Sequence, residues 1–175
     1  VEVLRQFERK FDVTILEGYG LSETSPVATF NQFEFECVPG SVGQAIAGVE
    51  VRIVDTHDQP VSVGEIGEVV IRGHNIMKGY YKRPEATAEA IRNGWFHSGD
   101  LGRMDERGYV YIVDRLKDMI IRGGFNVYPR ELEEVMMAHE AIAQVAVIGV
   151  PEPVLGEEVK AVVMLKPGRQ ASAEA

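Results

Sequence analysis

The sequence is short of cysteine, of basic residues and of long apolar runs, and each shortage excludes a class of protein. A single cysteine, Cys37, excludes an internal disulfide framework and is typical of a reducing compartment, so we expect a cytoplasmic location. Lys and Arg total 18 against 27 Asp and Glu, and without a basic stripe this balance argues against nucleic acid or anionic lipid as partners. No apolar run is long enough for a transmembrane segment, and no signal-peptide pattern is present.

Histidine is too sparse to suggest a metal centre, because the four histidines are scattered and make no metal-ligand spacing. Cys37 has no base beside it in sequence that would activate its thiol. What remains is ordinary for a globular protein: 175 residues, 45% hydrophobic and 26% charged, enough for one domain or two small ones. Because the chain begins without Met inside an amphipathic pattern, we expect a piece of a longer polypeptide.

Strands dominate the predicted elements of the first two thirds of the chain. Leu4, Phe7 and Phe11 lie at helical spacing, and the apolar run at 13–16 predicts a buried strand. Residues 27–41 show no period and are expected to be irregular. Further strands are predicted at 49–53, where apolar and charged residues alternate, and at 66–71 and 109–113, with turns at 58–60 and 105–108 and a helix opening at Pro84.

The pattern changes near Asp114–Lys117. Short apolar runs on both sides of Gly123-Gly124 predict a hairpin, and Pro129 begins a helix. Two further strands are predicted at 145–150 and 159–165. We therefore predict an α+β protein, with a strand-rich region followed by a small α+β domain.

The loop after the first predicted strand carries the first candidate residues. Gly18 and Gly20 allow close approach of a ligand to the backbone, and Tyr19 offers an aromatic face to a base. Glu23 offers a hard oxygen suited to Mg²⁺, and Thr24 a hydroxyl for phosphate. On local pattern alone, a polar loop with a helix cap is the more common explanation. The loop is not a nucleophile elbow, because Thr24 stands where that motif needs Gly.

Three charged residues further along are also candidates. Asp100 lies beside glycine and can accept both hydroxyls of a ribose, although an aspartate here also suits a tight turn. Arg115 can bind phosphate or ribose, or pair with Asp114. Lys117 fits either a pivot between two sheet regions or a solvated surface charge.

The order of these motifs along the chain resembles the adenylate-forming superfamily, and in particular its acyl-CoA synthetases of the fatty-acid–CoA ligase type. Each motif is common alone, but their ordered combination is highly specific and covers nearly the whole chain. The matching stretches are Tyr19-Gly20-Leu21-Ser22-Glu23-Thr24, Gly40-Ser41-Val42-Gly43, Gly67-Glu68, Gly79-Tyr80-Tyr81, Trp95-Phe96-His97-Ser98-Gly99-Asp100, Asp114-Arg115-Leu116-Lys117-Asp118, Gly123-Gly124, and Pro129 with Glu131 and Glu133.

The resemblance implies a two-step reaction with ATP, Mg²⁺ and coenzyme A. A carboxylic acid attacks the α-phosphate of ATP to give acyl-AMP and pyrophosphate, and the thiol of coenzyme A then displaces AMP. It also implies three regions. These are residues 1–31 at the edge of a large α/β nucleotide-binding domain, residues 32–114 as a β-rich subdomain, and residues 115–175 as a small, mobile C-terminal domain.

The resemblance assigns a role to each candidate residue. Catalytic roles fall to Glu23, which would bind Mg²⁺, and to Thr24, which would contact phosphate and the acyl carboxylate. Lys117 would be the hinge of a domain rotation between the two steps. The other implied roles are adenine binding by Gly18, Tyr19 and Gly20, ribose binding by Asp100 helped by Arg115, a nucleotide contact by Asn126, and lining of the coenzyme A tunnel by Gly123 and Gly124.

Two departures from the family pattern limit what this polypeptide is expected to do. The phosphate loop with its lysine is absent, and so is a C-terminal catalytic lysine in a Gly-Lys context, since Lys166 precedes proline. The chain by itself is therefore expected to be catalytically incompetent. Two alternatives stay open: an adenylation domain of a peptide-synthesis or luciferase-like enzyme, and a non-catalytic binding module.

Overall fold

The computed structural model describes residues 2–170, with side chains from residue 4 onward. The chain divides into two compact units between Ile112 and Val113. The last five residues of the expected C-terminal domain, 171–175, lie outside the described residues. The α+β class is confirmed, whereas the expected division at 31/32 and 114/115 stays a prediction.

Residues 2–170 contain three α-helices, and two of them begin at the prolines where the sequence predicts. Phe7 and Phe11 lie one turn apart on the first helix, with ring centroids 4.4 Å apart, and both rings are about half exposed. Pro84 and Pro129 each occupy the first turn of a helix, where the missing N–H of proline costs no hydrogen bond. The helices are α1 (Glu2–Phe11), α2 (Pro84–Ala90) and α3 (Pro129–Met137). None in residues 2–170 is long and apolar enough to cross a membrane.

A small three-stranded sheet carries the first candidate loop. It consists of β1 (Gly18–Tyr19), β2 (Thr29–Phe30) and β3 (Gln44–Ala45), in that order. The predicted strand at 13–16 is wrong. Val13 is 48% exposed, and the N–H of Ile15 donates to the carboxylate of Glu8, 2.9 Å away, instead of to a neighbouring strand. The region expected to be irregular contains β2 and is otherwise without helix or strand.

An antiparallel sheet of five strands forms the core of the first unit. Its strands are β4 (Val49–Val54), β5 (Gly67–Gly73), β6 (Ile91–Arg92), β7 (Trp95–Met104) and β8 (Val110–Arg115). Their order is β4-β5-β7-β6, and β8 also pairs with β7. Val69 and Ile71 on β5 and Phe96 on β7 are buried in the hydrophobic core, and burial of each such side chain contributes about 1.5–3 kcal/mol.

The second unit is a four-stranded antiparallel sheet with one helix. Its strands are β9 (Ile120–Arg122), β10 (Phe125–Val127), β11 (Ile142–Glu152) and β12 (Gly156–Leu165). Their order is β10-β9-β12-β11, and α3 packs against β11. Ile120 and Val147 are buried within it. The predicted succession of hairpin, helix and two strands is confirmed, although the last two strands are longer than predicted.

Candidate active site

Two candidate residues that lie far apart in sequence form a direct hydrogen bond in the first unit. The hydroxyl of Tyr19, on β1, donates to Oδ2 of Asp100 on β7, at 2.6 Å. Burial and this hydrogen bond to Asp100 raise the pKa of Tyr19 far above its usual value, so the phenol stays protonated and remains a donor. The aromatic ring and the carboxylate predicted to hold adenine and ribose are thus neighbours.

Asp100 lies on an irregularity in the sheet. Between β5 and β7 the pairing passes from Glu68 opposite Leu101 to Val70 opposite His97, so β7 has two residues more than β5 in this interval. Bulges of this kind redirect side chains and are frequent beside active sites. Within the bulge, the hydroxyl of Ser98 donates to the carbonyl of Val69 at 2.7 Å and accepts the N–H of Asp100 at 3.0 Å.

The two glycines of the first loop are exposed, and chain packing already requires them. A Cβ at Gly20 would overlap the carbonyl group of Pro26, and one at Gly18 would press on the ring of Phe30. Their surfaces remain open to a ligand. Adenine binding by Gly18 and Gly20 stays a prediction, since the close approach of the chain to itself explains both residues.

The hydroxyl of Thr24 points inward. Thr24 ends a short 3-10 turn, Ser22–Thr24, and is fully buried. Its Oγ1 accepts the N–H of Leu21 at 2.8 Å and lies 2.9 and 3.0 Å from the carbonyl oxygens of Leu21 and Pro26. Since these backbone groups already occupy the hydroxyl, this geometry disfavours the expected contact between Thr24 and phosphate. Ser22 is exposed in the same turn, and sequence reasoning gave it no role.

Glu23 has a partner that the sequence pattern did not reveal. The hydroxyl of Tyr80 donates to Oε1 of Glu23 at 2.9 Å. Burial and the hydrogen bond to Glu23 raise the pKa of Tyr80, which therefore also stays a donor. The backbone N–H of Met77 donates to the carbonyl of Glu23 at 2.8 Å, which ties the same two segments together again. The Gly79-Tyr80-Tyr81 motif was the available signal, but a motif does not tell which tyrosine turns toward Glu23.

Among residues 2–170, no three His, Cys, Asp or Glu side chains cluster as metal ligands. A single carboxylate is compatible with Mg²⁺, which usually takes one or two carboxylates and completes its shell with phosphate oxygens and water. Glu23 fits that requirement, because its carboxylate is partly exposed and held by Tyr80.

The remaining candidates lie in the second unit. Arg115 is the last residue of β8 and Lys117 lies in the turn that follows, and both residues are exposed. Asp114, which precedes Arg115, is held in place by two hydrogen bonds. Its carboxylate accepts the N–H of Arg115 at 2.8 Å and that of Arg130, in the first turn of α3, at 3.0 Å. Lys117 lines a cleft of about 420 Å³ in this unit. The exposed Lys117 thus lies three residues after Asp114, which is held by hydrogen bonds.

The hairpin of the second unit explains its two glycines without a ligand. Gly123 and Gly124 have φ of +58° and +85°, and a two-residue turn between twisted strands needs such values. Asn126 is exposed on β10, next to Phe125, whose side chain is 78% exposed. Contacts with coenzyme A and nucleotide at this hairpin stay predictions.

The sequence matches two family models. Residues 1–81 match the AMP-binding enzyme family, and residues 131–175 match the AMP-binding enzyme C-terminal domain. The chain belongs to this adenylate-forming superfamily. The resemblance inferred from the ordered motifs is thereby confirmed.

The relatives of this chain are much longer than the chain itself. It is 47% identical over 152 residues to a long-chain-fatty-acid–CoA ligase of Escherichia coli O157:H7, which covers 87% of the chain and 27% of the relative. It is 45% identical over 175 residues to the ligase of the same name from Bacillus subtilis, covering 99% of the chain and 31% of the relative. The crystal structure of ATP-bound MatB from Rhodopseudomonas palustris superposes with a TM-score of 0.91 at 42% identity, covering 98% of the chain and 34% of that protein. The chain thus spans about a third of the length of these relatives.

Proposed function

We propose that these residues belong to an ATP-dependent acyl-CoA ligase, which activates a carboxylic acid as acyl-AMP and transfers the acyl group to coenzyme A. The names of the two curated relatives support a long-chain fatty acid as the substrate. The observation that carries the proposal is the hydrogen bond between Tyr19 and Asp100, because it joins an aromatic face and a carboxylate beside a loop of exposed glycines.

The first unit would hold the nucleotide. Asp100 accepts hydrogen bonds from the ribose hydroxyls, and Oδ2 can accept Tyr19 at the same time, because an ionised carboxylate has about four lone-pair positions. The ring of Tyr19, with Gly18 and Gly20, lines the adenine. This division of roles lets the phenol orient the carboxylate without blocking it.

Glu23 would hold Mg²⁺, which when bound supplies positive charge to the phosphates of ATP. Tyr80 holds the carboxylate of Glu23 from the protein side. Ser22, and not Thr24, would supply the hydroxyl that reaches phosphate or the acyl carboxylate, because Ser22 is exposed and Thr24 is buried. Thr24 instead shapes the turn that carries both Ser22 and Glu23.

The second unit would rotate between the adenylation step and the transfer of the acyl group to coenzyme A. Lys117 follows the division of the units by a few residues and serves as the hinge, with Arg115 assisting at the ribose. The hairpin offers Asn126 to the nucleotide in the first step, and Gly123 and Gly124 to coenzyme A in the second. A reducing, cytoplasmic location belongs to the same proposal and agrees with the single cysteine.

The 175 residues alone would not complete the reaction, because they contain neither a phosphate loop with its lysine nor a lysine in a Gly-Lys context. Turnover of ATP with a fatty acid and coenzyme A by the purified chain would refute this part of the proposal.

The test is thioester formation by the complete polypeptide that contains these residues. We expect Asp100→Ala to lower kcat/KM for ATP by about 100-fold, since two hydrogen bonds to a charged group are lost. Glu106→Ala, which removes an exposed carboxylate from a hairpin turn, is the control and should leave kcat/KM unchanged. If folded Asp100→Ala kept the full rate, the nucleotide role of this site would be wrong, and a non-catalytic binding module would gain support.

A further inference from the structure

A second carboxylate lies behind the bulge that carries Asp100. We propose that Glu68 is a positioning residue, which fixes this bulge so that Asp100 faces the ribose of the nucleotide. The inference rests on the proposed function of Asp100, but it assigns a task to a side chain that would not itself touch the substrate. Glu68 lies on β5, and its side chain is only 13% exposed.

Both oxygens of Glu68 are directed at the bulge. Oε1 accepts the backbone N–H of Gly99 at 3.0 Å, and Oε2 lies 2.8 Å from Nδ1 of His97. The shift in pairing takes Gly99 out of the regular ladder, so its N–H has no strand partner in the register. An unpaired backbone N–H away from water is costly, and the carboxylate removes that cost. Glu68 therefore replaces the ladder hydrogen bond that the bulge loses.

The bulge needs support from the side chain of Glu68 because its backbone adopts a left-handed conformation at Gly99. Gly99 has φ of +72°, a conformation that side chains with a Cβ rarely adopt. Gly99 immediately precedes Asp100, so a change in this turn moves the carboxylate directly. Ser98 anchors one side of the turn to Val69, and Glu68 anchors its centre.

A chain of polar groups supports Glu68 from the other side. The His97 side chain is 6% exposed, and its Nδ1 also lies 2.7 Å from a guanidinium nitrogen of Arg92. One ring nitrogen cannot donate to Glu68 and accept from Arg92 at the same time. Arg92 lies 3.8 Å from Oε2 of Glu68 and 3.1 Å from Asp58. The carboxylate of Glu68 therefore keeps a donor or a cation beside it with either tautomer of His97.

The experiment measures ribose discrimination, which a purely structural role would not change. In the complete polypeptide, kcat/KM for ATP is divided by kcat/KM for 2′-deoxy-ATP and, separately, for 3′-deoxy-ATP. We expect Glu68→Leu to lower at least one ratio by roughly 10-fold, about the effect of one weakened hydrogen bond to a charged group. Glu68→Gln should stay near wild type, because an amide oxygen can still accept the N–H of Gly99.

Two further variants separate position from charge and from folding. Glu68→Asp keeps the charge but shortens the reach to Gly99, so the ratio should fall even if Glu68→Leu does not fold. Glu65→Leu is the matched control: Glu65 is exposed, and its carboxylate accepts the N–H of Ser62 at 2.9 Å, away from the bulge. Glu65→Leu should leave both ratios unchanged.

Asp100→Asn distinguishes the inference from the function on which it rests. If Asp100→Asn lowers the ratios and neither Glu68→Leu nor Glu68→Asp does, the positioning role is refuted and the proposed function stands. If Asp100→Asn leaves the ratios unchanged, the ribose role of Asp100 fails, and the role of Glu68 fails with it. Adding Glu68→Leu to Asp100→Asn should lower discrimination no further.

Discussion

The inward hydroxyl of Thr24 leads to a prediction that separates folding from activity. Thr24→Val keeps the shape of the side chain, but it removes the hydroxyl of a fully buried residue and with it the acceptor for the N–H of Leu21. An unmade buried hydrogen bond costs about 1–3 kcal/mol, so the free energy of unfolding should fall by about 2 kcal/mol. Urea denaturation followed by circular dichroism measures this loss as a lower midpoint.

Ser22→Ala is the matched variant in the same turn. Ser22 is exposed, so the free energy of unfolding should change by less than about 0.5 kcal/mol. If the Ser22 hydroxyl meets the substrate, its loss should lower kcat/KM by roughly 10-fold in the complete polypeptide, which corresponds to one hydrogen bond to a charged group. Thr24→Val should lower kcat/KM less than Ser22→Ala at a temperature where both are folded.

The opposite pattern would refute this assignment. Unchanged stability in Thr24→Val together with a large loss of kcat/KM would mean that the hydroxyl of Thr24 turns toward the substrate, as the sequence first suggested. A silent Ser22→Ala would remove Ser22 from the proposed site.

Two further predictions concern the metal-binding carboxylate and acid stability. Tyr80→Phe should raise the Mg²⁺ concentration for half-maximal activity about 10-fold, because the hydrogen-bond donor that orients Glu23 is lost. Tyr81→Phe, at a ring that is 86% exposed, should leave this concentration unchanged. Equal effects of the two variants would exclude a role for Tyr80 in orienting Glu23. Hydrogen bonds from the backbone N–H of Gln59 and, with a smaller effect, from that of His57 lower the pKa of Asp55. The stabilisation from ionised Asp55 is thus present above its unfolded pKa and lost as pH falls through the folded one. Asp55→Asn should lower Tm at pH 7, and the difference from wild type should shrink below about pH 4. A difference in Tm that does not depend on pH would contradict this prediction.

Much of the fold could be predicted from local patterns. Alternation at 49–53, proline at two helix starts and the Gly-Gly turn each have a local physical cause, and each predicted element is confirmed. The run at 13–16 failed for a non-local reason. A short apolar run becomes a strand only where a neighbour accepts its hydrogen bonds, and here the carboxylate of Glu8 takes the N–H of Ile15 instead.

The sequence names candidate residues for the site, but it does not predict how their side chains are oriented. Tyr19 and Asp100 are 81 positions apart, and Glu23 and Tyr80 are 57 apart, so neither hydrogen bond has a local signal. Sequence likewise does not reveal that the hydroxyl of Thr24 points inward, because this depends on the path of the backbone through the turn. The two-residue register shift around Asp100 is also invisible, since alternation alone predicts a regular ladder.

The most direct test of the proposed function is acid-dependent exchange of label between pyrophosphate and ATP, measured without coenzyme A in the complete polypeptide. We expect exchange that requires a fatty acid and Mg²⁺, and that falls by roughly 10-fold in Asp100→Asn, since two hydrogen bonds to a carboxylate are weakened but not lost. Absence of exchange with every carboxylic acid tried, or exchange that Asp100→Asn leaves intact, would contradict formation of an acyl-adenylate at this site.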